Sequence, residues 1–156
     1  MSVSAAAAAN RKKGLPMSRY ALTFVTTLLA FAMMDSVWLT FVAGPMYHAT
    51  IGPILLNGFR IVPAIVFYLI QITGMMVFVV PKIQGGQTVA QNALFGALFG
   101  LFTYCCFDLT ALSIVALWTT YLAVVDIAWG CVLSGMASVI GIGIADLVLR
   151  PRTRAA

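Results

Sequence analysis

Between Tyr20 and Leu147 the only charged side chains are Asp35, Arg60, Lys82, Asp108, Asp126 and Asp146, scattered through long apolar runs. A bilayer core about 30 Å thick is crossed by roughly 20 apolar residues of helix. Helix suits that setting because it satisfies its own backbone hydrogen bonds without water. The runs therefore predict an all-α protein, a four-helix transmembrane bundle. Composition agrees: 62 % of residues are hydrophobic and 8 % charged, against roughly 45–50 % and about 25 % in soluble domains. A soluble chain of this length would lack the polar residues to cover itself.

Four spans are expected. The first runs from about Tyr20 to Ala43 and is read as stopping at Gly44-Pro45. A semi-polar connection from Met46 to Arg60 follows, lying at the interface, where a short surface helix fits. The second span covers Ile61 to Val80, with Pro63 in its first turn, where a missing N–H is harmless, and Pro81 and Gly85-Gly86 ending it. The third opens near Thr88 and continues at least to Thr110, and the fourth runs from about Trp118 to Leu147. Residues 1–19 and 149–156 are read as basic cytoplasmic tails flanking a membrane domain over 20–148. An organelle transit peptide is the alternative for the first tail. A cleaved secretory signal is disfavoured, because the following apolar run is too long and holds Asp35.

Net charge of +5 does not point to nucleic acid, because the bases hug the spans. Arg11, Lys12, Lys13, Arg19, Lys82, Arg150, Arg152 and Arg154 fall on one side of a four-span topology and only Arg60 on the other. Basic residues collect on the cytoplasmic side, so both termini are placed there. A five-span reading would separate the two basic ends and is disfavoured.

The sequence contains no glutamate, and its four acids are all aspartates. A carboxylate at the centre of a membrane helix costs roughly 2.5–3.5 kcal/mol on insertion scales, so each needs a reason. At a rise of about 1.5 Å per residue, Asp35, Asp108 and Asp126 fall at similar depths, roughly 6–12 Å from the outer ends of their spans. Tyr68 and Gln71 reach that layer from the second span. Asp146 lies four residues before Arg150 and is read as an interfacial i,i+4 pair.

Spacing predicts which helices touch. Asn92, Gly96, Gly100, Tyr104 and Asp108 form one i+4 row, and Asp126, Gly130, Ser134 and Ser138 another. Small residues at this spacing let backbones approach, and an antiparallel packing of the two rows brings Asp108 near Asp126. Asp35-Ser-Val-Trp38 and Asp126-Ile-Ala-Trp129 share the pattern Asp-x-x-Trp, which puts an indole and a carboxylate on one helix face. Tyr104 and Thr110 complete the polar constellation. Acids clustered in low dielectric do not all ionise, and a protonated acid donates as well as accepts hydrogen bonds. The same layer also serves as a purely structural polar knot joining four helices.

Other residues carry less. His48 is read as interfacial and Arg60 as snorkelling toward headgroups. Cys105, Cys106 and Cys131 lack Cys-x-x-Cys spacing and, like the paired methionines at 33–34 and 75–76, are read as packing residues. No phosphate loop, nucleophile elbow or zinc-protease motif occurs, and no cofactor or metal is expected.

Over Tyr20 to Leu147 the chain resembles the small bacterial membrane proteins catalogued as domain of unknown function 2177. The resemblance rests on Asp35-x-x-Trp38-Leu39, Tyr47 with Gly52-Pro53, Phe67-Tyr68, Gly74 and Pro81. It continues through GALFGLFTY at 96–104, Asp108-Leu109-Thr110, Trp118 and Val125-Asp126-Ile127-x-Trp129-Gly130. Members commonly read Thr-Tyr-Asp-Leu-Thr-Asn where this chain has Cys106-Phe107-Asp108-Leu109-Thr110-Ala111, so positions 107 and 111 lack polar groups here. The resemblance implies a four-span protein of the bacterial inner membrane and brings no assigned activity. Genes of such proteins often neighbour lipid-modifying ones, which turns the expected ligand toward lipids.

The function expected from these readings is binding or carriage of a small lipid or amphiphile, with proton coupling as a variant, at Asp35, Asp108 and Asp126. Tyr68, Gln71, Tyr104, Trp38 and Trp129 would shape the pocket. The alternatives are a lipid-modifying enzyme, in which an aspartate kept protonated by its surroundings is the general acid or base, and an accessory subunit of a larger membrane complex. Expected partners are the bilayer, the amphiphile, and a second copy or a membrane partner, with no nucleic acid.

Overall fold

A computed structural model describes residues 17–80 and 88–149, and every regular element among them is helical. Helix α1 (Met17–Trp38) continues through a π-helical turn at Leu39–Ala43 into α2 (Gly44–Ile51) and a 3₁₀ turn at Gly52–Ile54. Helix α3 covers Ile61–Phe78, α4 Val89–Ile114 and α5 Thr120–Leu149. Four candidate membrane spans result: Met17–Ile54, Ile61–Phe78, Val89–Ile114 and Thr120–Leu149. Large apolar side chains on all of them point outward, among them Phe41, Val62, Ile70, Phe102 and Leu147. In water that surface would drive aggregation; in acyl chains it costs nothing.

The expected stop at Gly44-Pro45 is not one. Pro45 lacks an N–H and would normally break an α-helix by leaving a carbonyl unpaired and crowding the preceding turn. Here the ladder widens one turn earlier, and the Gly44 N–H donates to the Leu39 carbonyl. A Cβ at residue 44 would lie 2.6 Å from that carbonyl oxygen, so only glycine closes this π-turn unstrained. The proline then sits at the start of α2, where its missing donor is not needed. The first helical rod is thereby prolonged to Ile54 and carries Tyr47 with it.

Other boundaries fall close to expectation. Thr88 caps α4 through a reciprocal arrangement: its hydroxyl accepts from the Gln91 N–H, and its own N–H donates to the Gln91 side chain. The expected breaks at Pro81 and Gly85-Gly86, and the tails over 1–16 and 150–156, lie outside the described residues. Met17, Ser18 and Arg19, expected in the first tail, already belong to α1, and Leu149, expected in the second, ends α5. Hydroxyls facing outward on Ser36, Thr40, Thr73, Thr110 and Ser113 donate to carbonyls four residues earlier. They satisfy themselves within their own helix, as lipid exposure requires.

Packing is tightest between α4 and α5, which run antiparallel with the predicted rows in contact. A Cβ on Gly96 would meet Ser134 and Ser138, and one on Gly100 would meet the Gly130 carbonyl and Ser134. The Ser138 hydroxyl donates to the Asn92 carbonyl at 2.9 Å. Gly130 in turn receives the Tyr104 ring on its bare backbone. Helix α1 crosses α5 at Gly141, against which Thr27 packs and to whose carbonyl Thr26 donates at 2.9 Å. Phe31, Ile72, Met75 and Leu133 fill the centre.

The start of α1 and the end of α5 meet at one end of the bundle, where Arg19 donates to Asp146. Among the described residues Asp146 thus has a partner on the first helix that spacing along its own helix does not reveal. Arg150 lies outside the described residues. The bond joins the first and last helices, so both ends of the membrane domain lie on one side.

Candidate functional site

At the opposite end the helices part around a cavity of about 470 Å³, within the 300–1,000 Å³ common for small-molecule sites. Helix α1 and its π-turn contribute Asp35, Trp38 and Leu39, and α2 contributes Tyr47. Ala64, Phe67 and Tyr68 come from α3, Thr103, Tyr104 and Phe107 from α4, and Asp126 and Trp129 from α5. Leu39, Phe67 and Phe107 in its lining are exposed, so the cavity reaches the surface of the bundle. Every span lends it a wall.

Asp35 is the more completely held acid. Its Oδ1 accepts the Trp129 indole N–H at 3.1 Å and its Oδ2 accepts the Tyr68 hydroxyl at 3.0 Å. The repeated Asp-x-x-Trp pattern thus works across helices: the tryptophan of one copy serves the aspartate of the other. The two indoles stack with centroids 4.4 Å apart and planes inclined by 7°. The exchange is not reciprocal, for the Trp38 indole N–H is buried without a hydrogen-bond partner among the described residues.

Asp126 is 6 % exposed and takes a different donor. The Tyr47 hydroxyl donates to its Oδ2 at 2.5 Å. Its Oδ1 has no hydrogen bond among the described residues, and the residue lines the cavity. Tyr104 lies within electrostatic reach of all three intramembrane acids.

Asp108 is placed apart from the other two acids. It stands close enough to Asp126 to interact with it, as the antiparallel rows predict. Yet it is completely buried and does not line the cavity. Both of its oxygens lack partners among the described residues, and the neighbouring Trp118 indole stops short of hydrogen-bond geometry. Asp108 therefore stands behind the wall, on the α4–α5 seam. Gln71 is also buried behind the lining and donates to Thr103 at 3.3 Å. Thr110, expected in the constellation, is exposed and bonds its own helix.

Of the eight expected residues, Asp35, Asp126, Tyr68, Tyr104, Trp38 and Trp129 share the cavity, while Asp108 and Gln71 support it. Tyr47 is absent from the set read from spacing, because the Gly-Pro stop assigned it to a surface connection. Followed through the π-turn, it lies twelve residues beyond Asp35 on one rod. Phe67 and Phe107 look in sequence like ordinary apolar residues, and their spacing does not mark them as lining a cavity. No group of three or more His, Cys, Asp or Glu suited to a metal occurs among the described residues. The three cysteines are free.

A family model described as predicted membrane protein (DUF2177) matches residues 20–143. No curated protein and no solved structure matches the chain.

Proposed function

The chain belongs to the DUF2177 family of predicted membrane proteins, and from that premise we propose that it binds or carries a small lipid or amphiphile in the cavity between its four spans. One observation supports this above the rest. An aromatic-walled space with two carboxylates at its inner face opens through exposed Leu39, Phe67 and Phe107 onto the acyl-chain surface. An amphiphile entering sideways would leave its chain in lipid and bring its polar end to Asp35 and Asp126.

A polar knot serving only to join helices would fill its space and pair its donors and acceptors. This one keeps a cavity, and among the described residues the Asp126 Oδ1 has no hydrogen bond. The test is mass spectrometry of lipids retained by the protein after purification in a mild maltoside detergent, for wild type and Ala64→Phe. Position 64 is on the wall and carries no polar group, so the added ring occupies the cavity and spares the acids. A species retained by wild type and depleted from the variant is expected; identical complements in both would remove the reading.

We further propose that the membrane is the bacterial inner membrane, with both ends of the domain on the cytoplasmic side. Eight of the nine basic residues support that orientation. The cavity then lies in the outer half of the bilayer. Reporter fusions to the C-terminus, fluorescent only inside or enzymatically active only outside, decide it: fluorescence is expected, and external activity would invert the topology.

A further inference from the structure

We infer that the cavity selects an organic cation: the amphiphile it takes carries an ammonium head group, primary to quaternary, seated against Asp126 Oδ1 and walled by aromatic rings. The inference rests on the amphiphile-binding reading and sharpens it to a ligand class.

Three features of the lining converge. Seven of its twelve residues are aromatic, two are aspartates, and none is Lys, Arg or His. An anionic head group would meet two carboxylates and no counter-charge. A neutral one would leave the acids uncompensated in a low-dielectric setting, where a buried polar group without a partner is costly.

The two acids are not equivalent, which locates the head group. Both oxygens of Asp35 are occupied by donors from Trp129 and Tyr68. Asp126, nine-tenths buried, accepts from Tyr47 on one oxygen, has no hydrogen bond on the other among the described residues, and lines the cavity. That oxygen is the point where a positive charge gains most.

The surroundings favour an organic cation over an inorganic one. Calcium takes six to eight oxygen ligands and magnesium a near-ideal octahedron, whereas this wall supplies one free carboxylate oxygen amid rings. Aromatic faces attract alkylammonium groups through the ring quadrupole, and such cages recognise quaternary ammonium ligands. They also shed the water that a small metal ion would retain.

The experiment titrates wild-type protein in maltoside micelles with three probes sharing one hexyl chain: hexyltrimethylammonium, hexyl glucoside and hexyl sulfate. Intrinsic fluorescence is the readout, since Trp38 and Trp129 form part of the wall. The cation should bind at least about tenfold tighter than either other probe, a difference of about 1.4 kcal/mol. That preference should disappear in Asp126→Asn, while Ala64→Phe should lose all three probes together. Should Asp126→Asn fail to fold, the wild-type series still decides the matter. Equal affinities for the three probes overturn cation selectivity and leave amphiphile binding standing. Absence of saturable binding by any probe overturns both.

Discussion

The antiparallel pair α4 and α5 is one contact with two different halves. Toward the termini its facing positions are Asn92, Gly96 and Gly100 against Gly130, Ser134 and Ser138, and the backbones nearly touch. Toward the far end the same i+4 row of α4 continues as Tyr104 and Asp108, opposite Gly130 and Asp126. With no change of spacing, only of side-chain size, the row passes from a dry seam to the edge of a cavity. In a membrane no hydrophobic drive presses helices together, so close packing has to be built from small residues. Where those residues end, the helices are held apart by rings and an opening results. A site in such a protein is where the packing motif runs out.

The seam is the place to break this contrast hardest. In Gly100→Leu the new side chain would run into the Gly130 carbonyl, backbone that does not yield as a flexible side chain does. Equilibrium unfolding in mixed sodium dodecyl sulfate and maltoside micelles should register a loss near the top of the overpacking range, about 3 kcal/mol. If the leucine proves no worse than changes at the cavity, the seam is not what holds the bundle.

On the cavity side a smaller loss is expected. Trp129→Ala removes the stacked indole and one donor to Asp35. A stacked aromatic pair contributes about 0.5–1.5 kcal/mol and a hydrogen bond about 1 kcal/mol, so the same assay should lose about 2 kcal/mol. Loss of probe binding should accompany it, which Gly100→Leu in its folded fraction should not show. Trp129→Ala with unaltered binding would take Trp129 out of the site.

Smallest of all should be Arg19→Ala, which removes the ion pair to Asp146 at the termini end. Both side chains are over a third exposed, at 36 % and 41 %, and exposed pairs contribute about 0–1 kcal/mol. The unfolding midpoint should scarcely move. A loss comparable to that at the seam would mean that the pair, and not the glycines, closes this end.

Much of the architecture could be read from residue order. The apolar runs, the opening of the third span near Thr88 and the two small-residue rows each act over a few turns of one helix, so their outcome needs no distant partner. The exchange between the two Asp-x-x-Trp copies was not legible, because pattern within a helix does not say which neighbouring helix receives the indole N–H. Tyr47 was hidden for a sharper reason. Gly-Pro ends most helices, and the wider turn that lets this one continue depends on the Gly44 bond to Leu39, which the pair of letters does not announce.

What sequence alone determined is that this membrane protein has four candidate spans, with one intramembrane aspartate on each of three of them. Helix length and the cost of charge in hydrocarbon are local quantities, fixed by counting residues. Tertiary structure alone decided that the acids divide their labour. Asp35 has a donor on each oxygen, from Trp129 and Tyr68, Asp108 is sealed behind the wall, and Asp126 lines the cavity with one oxygen that has no hydrogen bond among the described residues. Depth is a coordinate along each helix, whereas what a carboxylate faces depends on the rotation and separation of several helices at once.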